Sequence, residues 1–284
     1  MENAKSDNGL IQAAKLLNQR AAGRFAAVHL ASTGSTNGWL KERFATGGIR
    51  GPMVVFTDEQ TAGRGTRGRG WSQVGGRDLA LSAAAFLAGE GQVDHRLSLA
   101  VGAVVALVIE QVAGSAARVK WPNDVLVPAG PAAEAPFLKT SGTLIETAAG
   151  KTGRLLIAGV GINVNSTAAD FPAELAGRLA TLSDSTGGSV DRAALAAGLA
   201  DGLLDLLVPV GTGGGMDVLA RLTAEWLSRD ATAGARYVLR RGGIDRPVVA
   251  EGVDPASLAL ICRDAEGNRH EVTSYTELLA PEET

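Results

Sequence analysis

Apolar and polar positions change rhythm several times along this chain of 284 residues. Residues 1–9 are polar and predict disorder. Residues 10–21 place Ile11, Ala14, Leu16 and Leu17 at the spacing of a short amphipathic helix. Residues 25–30 read as a strand. Ser35-Thr36-Asn37 then offers an N-cap to a helix through Phe44, with Trp39, Leu40 and Phe44 as its apolar side. Residues 52–57 and 78–86 have the length and apolar content of strands. The most apolar stretch lies within 94–112. It is shorter than the roughly 20 residues that span a bilayer, so it reads as a buried helix. Residues 118–121 and 124–127 flank a Pro-Asn turn. Residues 128–136, rich in Pro, Ala and Gly, predict a flexible hairpin insertion. Residues 138–147 and 154–164 predict a pair of antiparallel strands. Helices are expected at 172–182 and 191–208, the second with Leu195, Leu199 and Leu203 in register and Leu206 and Leu207 closing the stripe. A glycine-rich break at 211–215 precedes a last helix over 216–227.

Beyond Arg229 the period shortens. Residues 237–240, 247–253, 258–263 and 270–273 read as strands, punctuated by Gly242-Gly243, Asp254-Pro255 and Glu266-Gly267-Asn268. The pattern predicts an α+β domain over 1–228 and a small barrel-like β domain over 232–284. No internal repeat or heptad run interrupts this division.

Composition narrows the function. Hydrophobic residues at 45% suffice for a sizeable core, and a net charge of −3 argues against a dedicated nucleic-acid binder, whose affinity rests on many phosphate contacts. A single cysteine, Cys262, excludes an intrachain disulfide framework and a thiolate cluster. Three scattered histidines, His29, His95 and His270, make a histidine metal site unfavourable. The opening residues include Glu2 and Asp7 and do not read as a secretory signal, so a soluble cytoplasmic protein is expected, away from membranes.

Against that acidic background, Gly63-Arg64-Gly65-Thr66-Arg67-Gly68-Arg69-Gly70-Trp71 stands out. No acidic residue occurs from Thr61 to Arg77. Glycines let backbone approach an anion, and guanidinium forks neutralise it. The stretch predicts a mobile surface loop, either an anion-binding one or merely a solvated basic one. Four further segments carry candidate chemistry. Ser35-Thr36-Asn37 can meet a small polar ligand or only cap a helix. Lys120-Trp121-Pro122-Asn123-Asp124 can meet phosphate and metal, or be a turn held by Asn and Asp. In Lys139-Thr140-Ser141-Gly142-Thr143-Leu144-Ile145-Glu146, strand alternation puts Lys139 and Ser141 on one face, and Gly142 leaves room for a ligand. The alternative for Lys139 is an edge-strand lysine that deters aggregation. Gly159-Val160-Gly161-Ile162-Asn163-Val164 opens space at a strand end. It fails as a dinucleotide fingerprint because the third glycine is missing, and no P-loop occurs anywhere in the chain.

Taken together and in this order, GRGTRGRGW, STN, KWPND, KTSGTLIE and GVGINV resemble the biotin–protein ligase family. The likeness is close over residues 25–170 and looser beyond. It implies a central mixed or antiparallel sheet with helices, as in class II aminoacyl-tRNA synthetases, plus a C-terminal SH3-like barrel. It implies two steps: biotin and ATP form biotinyl-5′-adenylate and pyrophosphate, and an acceptor lysine then displaces AMP. Both steps bring anions together, so positioning and charge neutralisation dominate.

Residue by residue, the resemblance implies that Ser35, Thr36, Asn37 and Gln60 contact biotin. Gly63, Arg64, Gly65 and Thr66 close over its tail and the adenylate phosphate, and Trp71 anchors the loop or shields the biotin ring. Lys139 meets the carboxylate beside Gly142, and Lys120 the α-phosphate. Arg67 and Arg69 meet the departing pyrophosphate. Asn123 and Asn163 line the nucleotide site, and Asp124 helps hold Mg²⁺. The implied partner is the biotin-accepting domain of an acyl-CoA carboxylase, and the implied state is a monomer or weak homodimer. Thr66 stands where the family often has arginine, which predicts weaker retention of the adenylate. About 24 residues precede the first catalytic strand, so no helix-turn-helix and no operator DNA partner are expected. A lipoate–protein ligase or octanoyl transferase shares the fold and the acyl-transfer logic. An RNA-binding protein using the arginine-glycine loop is the alternative from another class, disfavoured by 4% aromatic residues.

Overall fold

The computed structural model describes residues 8–89, 93, 96–132, 134–151, 153–175, 177–274 and 277–279. Its main sheet has seven strands: β1 (Ala26–Thr33), β2 (Met53–Gln60), β3 (Leu79–Leu87), β4 (Arg118–Lys120), β5 (Asp124–Pro128), β6 (Phe137–Gly150) and β7 (Gly153–Ile162). They lie in the order β1-β2-β3-β7-β6-β5-β4. Only β1 and β2 run parallel; every other neighbouring pair is antiparallel. The helices are α1 (Asn8–Ala21), α2 (Thr36–Ala45), α3 (Arg96–Ala113), α4 (Leu182–Thr186), α5 (Arg192–Gly211) and α6 (Met216–Ser228).

Strand alternation sends one set of side chains to each face. Val54, Phe56, Leu79, Leu81, Ala83, Leu156, Ala158, Val160 and Ile162 join the main core with α1, α3, α5 and α6. On the opposite face Val55, Ala84, Leu155 and Ile157 pack under Leu40 and Phe44 of α2. Further along that face the apolar residues run out. β7 continues 155, 157 with Gly159 and Gly161, and their antiparallel neighbours are Leu144 and Gly142 on β6 and Ser82 and Ala80 on β3. Half of this face is therefore a small core, and the other half is a floor of glycines and small side chains with Leu144 as its one large residue.

α3 and α5 are each long and apolar enough to cross a membrane by length and composition. Length therefore does not decide their setting. Packing does: Leu97, Val101, Val105 and Ile109 of α3 and Leu195, Leu199 and Leu203 of α5 lie fully inside the main core.

Most expected elements appear within a few residues. Asn8 and Gly9 belong to α1, while residues 1–7, at the start of the expected disorder, lie outside the described residues, as do Asp94 and His95. The segment 128–136 closes a turn between β5 and β6 with Ala129 N–H donating to the Pro136 carbonyl at 2.9 Å. α5 runs through Pro209 to Gly211 rather than stopping before the proline. One expected element fails: the described residues of 172–182 do not form the expected helix. They carry a 3₁₀ turn at Ala173–Leu175, and Leu179 makes a bridge with Lys139. Thr181 caps α4, which spans only Leu182–Thr186. Phe171, Leu175 and Leu179 have helical spacing, but their common side faces a cavity.

The C-terminal strands are β8 (Arg236–Arg241), β9 (Ile244–Val253), β10 (Leu260–Asp264), β11 (Arg269–Val272) and β12 (Leu278–Leu279). They form a five-stranded antiparallel sheet in the order β11-β10-β9-β8-β12. Gly242 and Gly243, both at positive φ, supply the two-residue turn between β8 and β9. The sheet docks on the strand before it: Ala231 N–H donates to the Val119 carbonyl at 2.8 Å, and Trp121 N–H to Thr232 Oγ1 at 2.9 Å. Leu239, Val248 and Ala250 extend the main core into it.

Candidate active site

The glycine-floored half of the main sheet bounds a cavity of about 350 Å³. Its floor includes Gly142, Leu144, Gly159 and Gly161; the start of α2 gives Ser35, Thr36 and Asn37; and Phe171, Leu175, Arg178 and Leu179 form another wall. The basic loop lies across the opening through Arg64, Gly65, Thr66, Arg69, Gly70 and Trp71. Of the residues expected from sequence, Gln60, Asn123, Asp124, Lys139 and Asn163 also line this space.

The polar end is held by a chain of hydrogen bonds. Ser35 caps α2, its Oγ accepting from Gly38 N–H. Thr36 donates to Gln60 Oε1 from its backbone N–H at 2.9 Å and its hydroxyl at 3.2 Å. The buried Ser82 hydroxyl lies 2.6 Å from both Thr36 Oγ1 and Asn37 Oδ1. Asn37 Nδ2 donates to Glu146 Oε2 at 2.8 Å, and Lys41 Nζ reaches Glu146 Oε1 at 2.5 Å. Burial pushes the Glu146 carboxyl up. Hydrogen bonds from Lys41 and Asn37, with the charges of Lys41 and Arg64, outweigh it and hold the group below its ordinary value.

The basic loop is a narrow two-stranded ribbon in this structure. Arg64 and Gly70 form an antiparallel bridge, Trp71 N–H donates to the Gly63 carbonyl at 2.9 Å, and Gly65 N–H to the Arg69 carbonyl at 2.8 Å. Arg67 and Gly68 make the tip, both at positive φ, as a tight ribbon turn requires. Gly63 tolerates no side chain, because a Cβ there would sit 2.5 Å from the Trp71 carbonyl. Past the ribbon, buried Asp78 clasps the loop's return to the end of β7. Its carboxylate accepts from Val74 N–H, Val164 N–H (both 2.9 Å) and the Ser166 hydroxyl (2.6 Å). Burial raises the Asp78 carboxyl despite these bonds.

Trp71 lays its indole on the floor. A Cβ at Gly161 would lie 2.8 Å from its Cζ2, and one at Gly142 would lie 3.2 Å from its Cζ3. The indole N–H is buried without a hydrogen-bond partner. Lys139 Nζ stands 5.8 Å from the Trp71 ring centroid and 2.7 Å from Asp124 Oδ1. The ammonium is thus held between a carboxylate and an aromatic face.

Lys139 reaches the cavity through a local irregularity. Asp124 pairs with Gly142 and Val125 with Ser141, but Leu126 pairs with Lys139, skipping Thr140. The extra residue turns Lys139 to the Gly142 side, where its ammonium is 3.4 Å from the position a Gly142 Cβ would take. Ser141 stays fully buried with its hydroxyl unpartnered. The expectation that Lys139 and Ser141 share a face is therefore corrected: strict alternation fails across a bulge. Thr140 is tied there by its hydroxyl to the Asn163 carbonyl at 3.1 Å and by its own carbonyl to Asn163 N–H at 2.9 Å. Asn163 Nδ2 donates to the Ala180 carbonyl, and Asn123 Nδ2 to the Thr143 carbonyl.

Gly63, Arg67 and Lys120 do not line the cavity. Gly63 closes the ribbon's base and Arg67 sits at its tip. Lys120 Nζ lies 5.6 Å from the ring centroid of Tyr237 on β8, at the junction with the second sheet. Burial, then the negative charge of Asp124, raises the Tyr237 phenol above its ordinary value.

A model of the biotin/lipoate A/B protein ligase family matches residues 30–163, which hold the cavity floor, the ribbon and Lys139. The biotin–[acetyl-CoA-carboxylase] ligase of Mycobacterium tuberculosis is 31% identical over 243 residues, 84% of this chain and 83% of the relative. The chain belongs to the biotin/lipoate A/B protein ligase family. A ligase of the same description from Paracoccus denitrificans is 32% identical and covered to 95% of its length. The bifunctional ligase/repressor BirA of Bacillus subtilis is 36% identical over 141 residues, but the match spans only 41% of that relative's length. Among solved structures, a biotin protein ligase from Aquifex aeolicus in complex with biotin and ATP shares this family member's fold. The TM-score is 0.65 at 24% identity, covering 89% of this chain and 97% of that one.

Sequence reasoning missed Lys41, Ser82 and Glu146, which hold the polar end, and Phe171, Leu175, Arg178 and Leu179, which build a wall. Glu146 did carry a signal: it lies at an even position on β6, as do Gly142 and Leu144, so strand alternation places it on the cavity side. Ser82 carried none, since a serine inside an apolar strand reads as core.

Proposed function

We propose that this protein attaches biotin to a lysine of a carrier domain through biotinyl-5′-adenylate formed from ATP. The observation that carries the reading is the convergence of Lys139, Arg64 and Arg69 on a glycine-floored cavity with a hydrogen-bonding end and an apolar indole. A neutral ureido-type ring fits the Ser35-Thr36-Gln60 end, an apolar tail fits Trp71 and the glycines, and a carboxylate fits Lys139. Names of the two relatives covered to 83% and 95% of their length support the same substrate.

In this reading the biotin carboxylate attacks the α-phosphate of ATP and pyrophosphate leaves. The carrier amine then attacks the acyl carbon, and AMP leaves with the electrons of the broken C–O bond. Lys139 neutralises the carboxylate and then the bridging oxygen, while Arg64 and the ribbon amides hold the phosphate. Arg69 meets pyrophosphate. Lys120, expected at the α-phosphate, and Arg67 stand outside the cavity lining, and in this reading both meet the outer phosphates of a nucleotide that extends past the cavity. Among the described residues no group of three metal-ligating side chains occurs. Asp124, which lines the cavity beside Lys139, is the carboxylate that would take a magnesium ion arriving on the nucleotide phosphates.

The finer parts of the proposal are two domains, over 1–228 and 232–284, with the second an SH3-like barrel built on the five-stranded sheet. The partner is the biotin-accepting domain of an acyl-CoA carboxylase. The protein is cytoplasmic and a monomer or weak homodimer, and DNA is no partner, which the net charge of −3 supports. The test follows labelled biotin into a carrier domain with and without ATP, with Lys139→Ala beside the wild type. ATP-dependent labelling that Lys139→Ala loses supports the reading; labelling without ATP, or normal turnover by Lys139→Ala, overturns it.

A further inference from the structure

The polar end of the cavity and the ribbon above it meet at one carboxylate. Glu146 Oε2 accepts from Asn37 at 2.8 Å and lies 3.3 Å from Arg64 Nη2, while Oε1 takes Lys41 at 2.5 Å. Its side chain is 19% exposed, so it is not a solvated counter-ion. Asn37 is nearly saturated by this arrangement. Its Nδ2 is spent on Glu146 and the Leu144 carbonyl, and its Oδ1 accepts from Ser82. An amide so occupied has little left for a ligand; it passes orientation from β6 through Ser82 and Thr36 to Gln60 on β2. The Asn37 amide fills the space that a side chain at position 159 would take, with Nδ2 3.1 Å from where a Gly159 Cβ would be.

We infer that Glu146 is a positioning residue for the adenylation reaction: through Asn37 it fixes the Thr36–Gln60 recognition edge, and through Arg64 it ties the ribbon to that edge. The inference rests on the ligase reading and adds a residue that touches neither substrate. It also reassigns Asn37 from ligand contact to the same positioning network. The link through Asn37 is buried, short and charge-assisted, whereas Arg64 is half exposed, so the first link carries the larger effect.

The test measures biotin-dependent exchange of labelled pyrophosphate into ATP by the full chain. Glu146→Ala is expected to raise the KM for biotin at least about tenfold while kcat changes less than about threefold. That factor is what a net 1.4 kcal/mol supplies. Glu146→Gln keeps an acceptor for Asn37 and is expected to recover most of that KM. Arg64→Ala is expected to cost at least about threefold less in the Glu146→Ala background than in the wild type, because its tether is already gone. The inference is overturned if Glu146→Ala keeps a wild-type KM. It is equally overturned if Glu146→Gln, with a native melting temperature, is as impaired as Glu146→Ala, or if Arg64→Ala costs the same in both backgrounds. Absence of exchange in the wild type would instead strike the ligase reading itself.

Discussion

Replacing Gly159 with alanine tests the packing beneath the polar end. The added methyl would lie 3.0 Å from Asn37 Cγ and closer still to Oδ1. Gly159 has ordinary strand geometry, so the cost arises from contact rather than from backbone strain. Asn37 cannot retreat freely, because its amide is pinned by Ser82 at 2.6 Å and by Glu146 at 2.8 Å. Giving up a buried neutral hydrogen bond costs about 1 kcal/mol, and giving up one to a carboxylate costs about 1.5–3 kcal/mol. Alanine returns under about 1 kcal/mol through its smaller entropy loss. The expected net destabilisation is therefore about 2–3 kcal/mol, a substantial part of a typical stability of about 5–15 kcal/mol. Gly161→Ala, two residues along the same face, meets the Trp71 ring instead. That indole has no hydrogen bond to lose, so lifting it costs about 1 kcal/mol of apolar contact. Equilibrium unfolding in urea measures both variants, with Asn37→Ala and the Asn37→Ala/Gly159→Ala pair. In the Asn37→Ala background the Gly159→Ala cost should fall below about 0.5 kcal/mol. Two results would refute the reasoning: Gly159→Ala within about 0.5 kcal/mol of wild type, or an undiminished cost once the Asn37 amide is gone.

Lys139→Met is expected to lower kcat for biotin-dependent pyrophosphate exchange by about 10²-fold or more with little loss of stability, since a fixed charge at the reacting carboxylate is removed. Exchange at a tenth of the wild-type rate or better would reject that role. Thr66→Arg is expected to slow the escape of biotinyl-adenylate, read as free adenylate appearing in solution; equal release by both proteins contradicts it. Because the folded Glu146 carboxyl is depressed, its contribution to stability is present above the unfolded value and lost as pH falls through the folded one. The stability gap between wild type and Glu146→Gln should therefore be full near neutrality and shrink below about pH 4. Urea unfolding at several pH values reads the gap, and a gap that stays constant down to about pH 3 counts against the assignment.

Local pattern alone determined a good deal here. The strands of both sheets apart from β12, with α1 to α3, α5 and α6, follow from period and caps, because each is set by side chains within a few residues. The family resemblance carried by five polar segments, three of them glycine-bearing, implied one shared site, and most of their residues do meet in one cavity. Tertiary structure decided the rest. Whether Lys139 faces the cavity depends on a bulge at Thr140, which is held by Asn163 more than twenty residues away. The wall at 171–179 has helical spacing, yet its apolar residues face a cavity, a choice made by what lies opposite them. Lys120 turns to Tyr237 because a second sheet docks beside β4. Glu146 draws together residues from α2, β6 and the ribbon. Spacing along a chain reports which side of its own element a residue occupies. It does not report which distant element comes to rest against that side, and charge pairing in a site is set by the second.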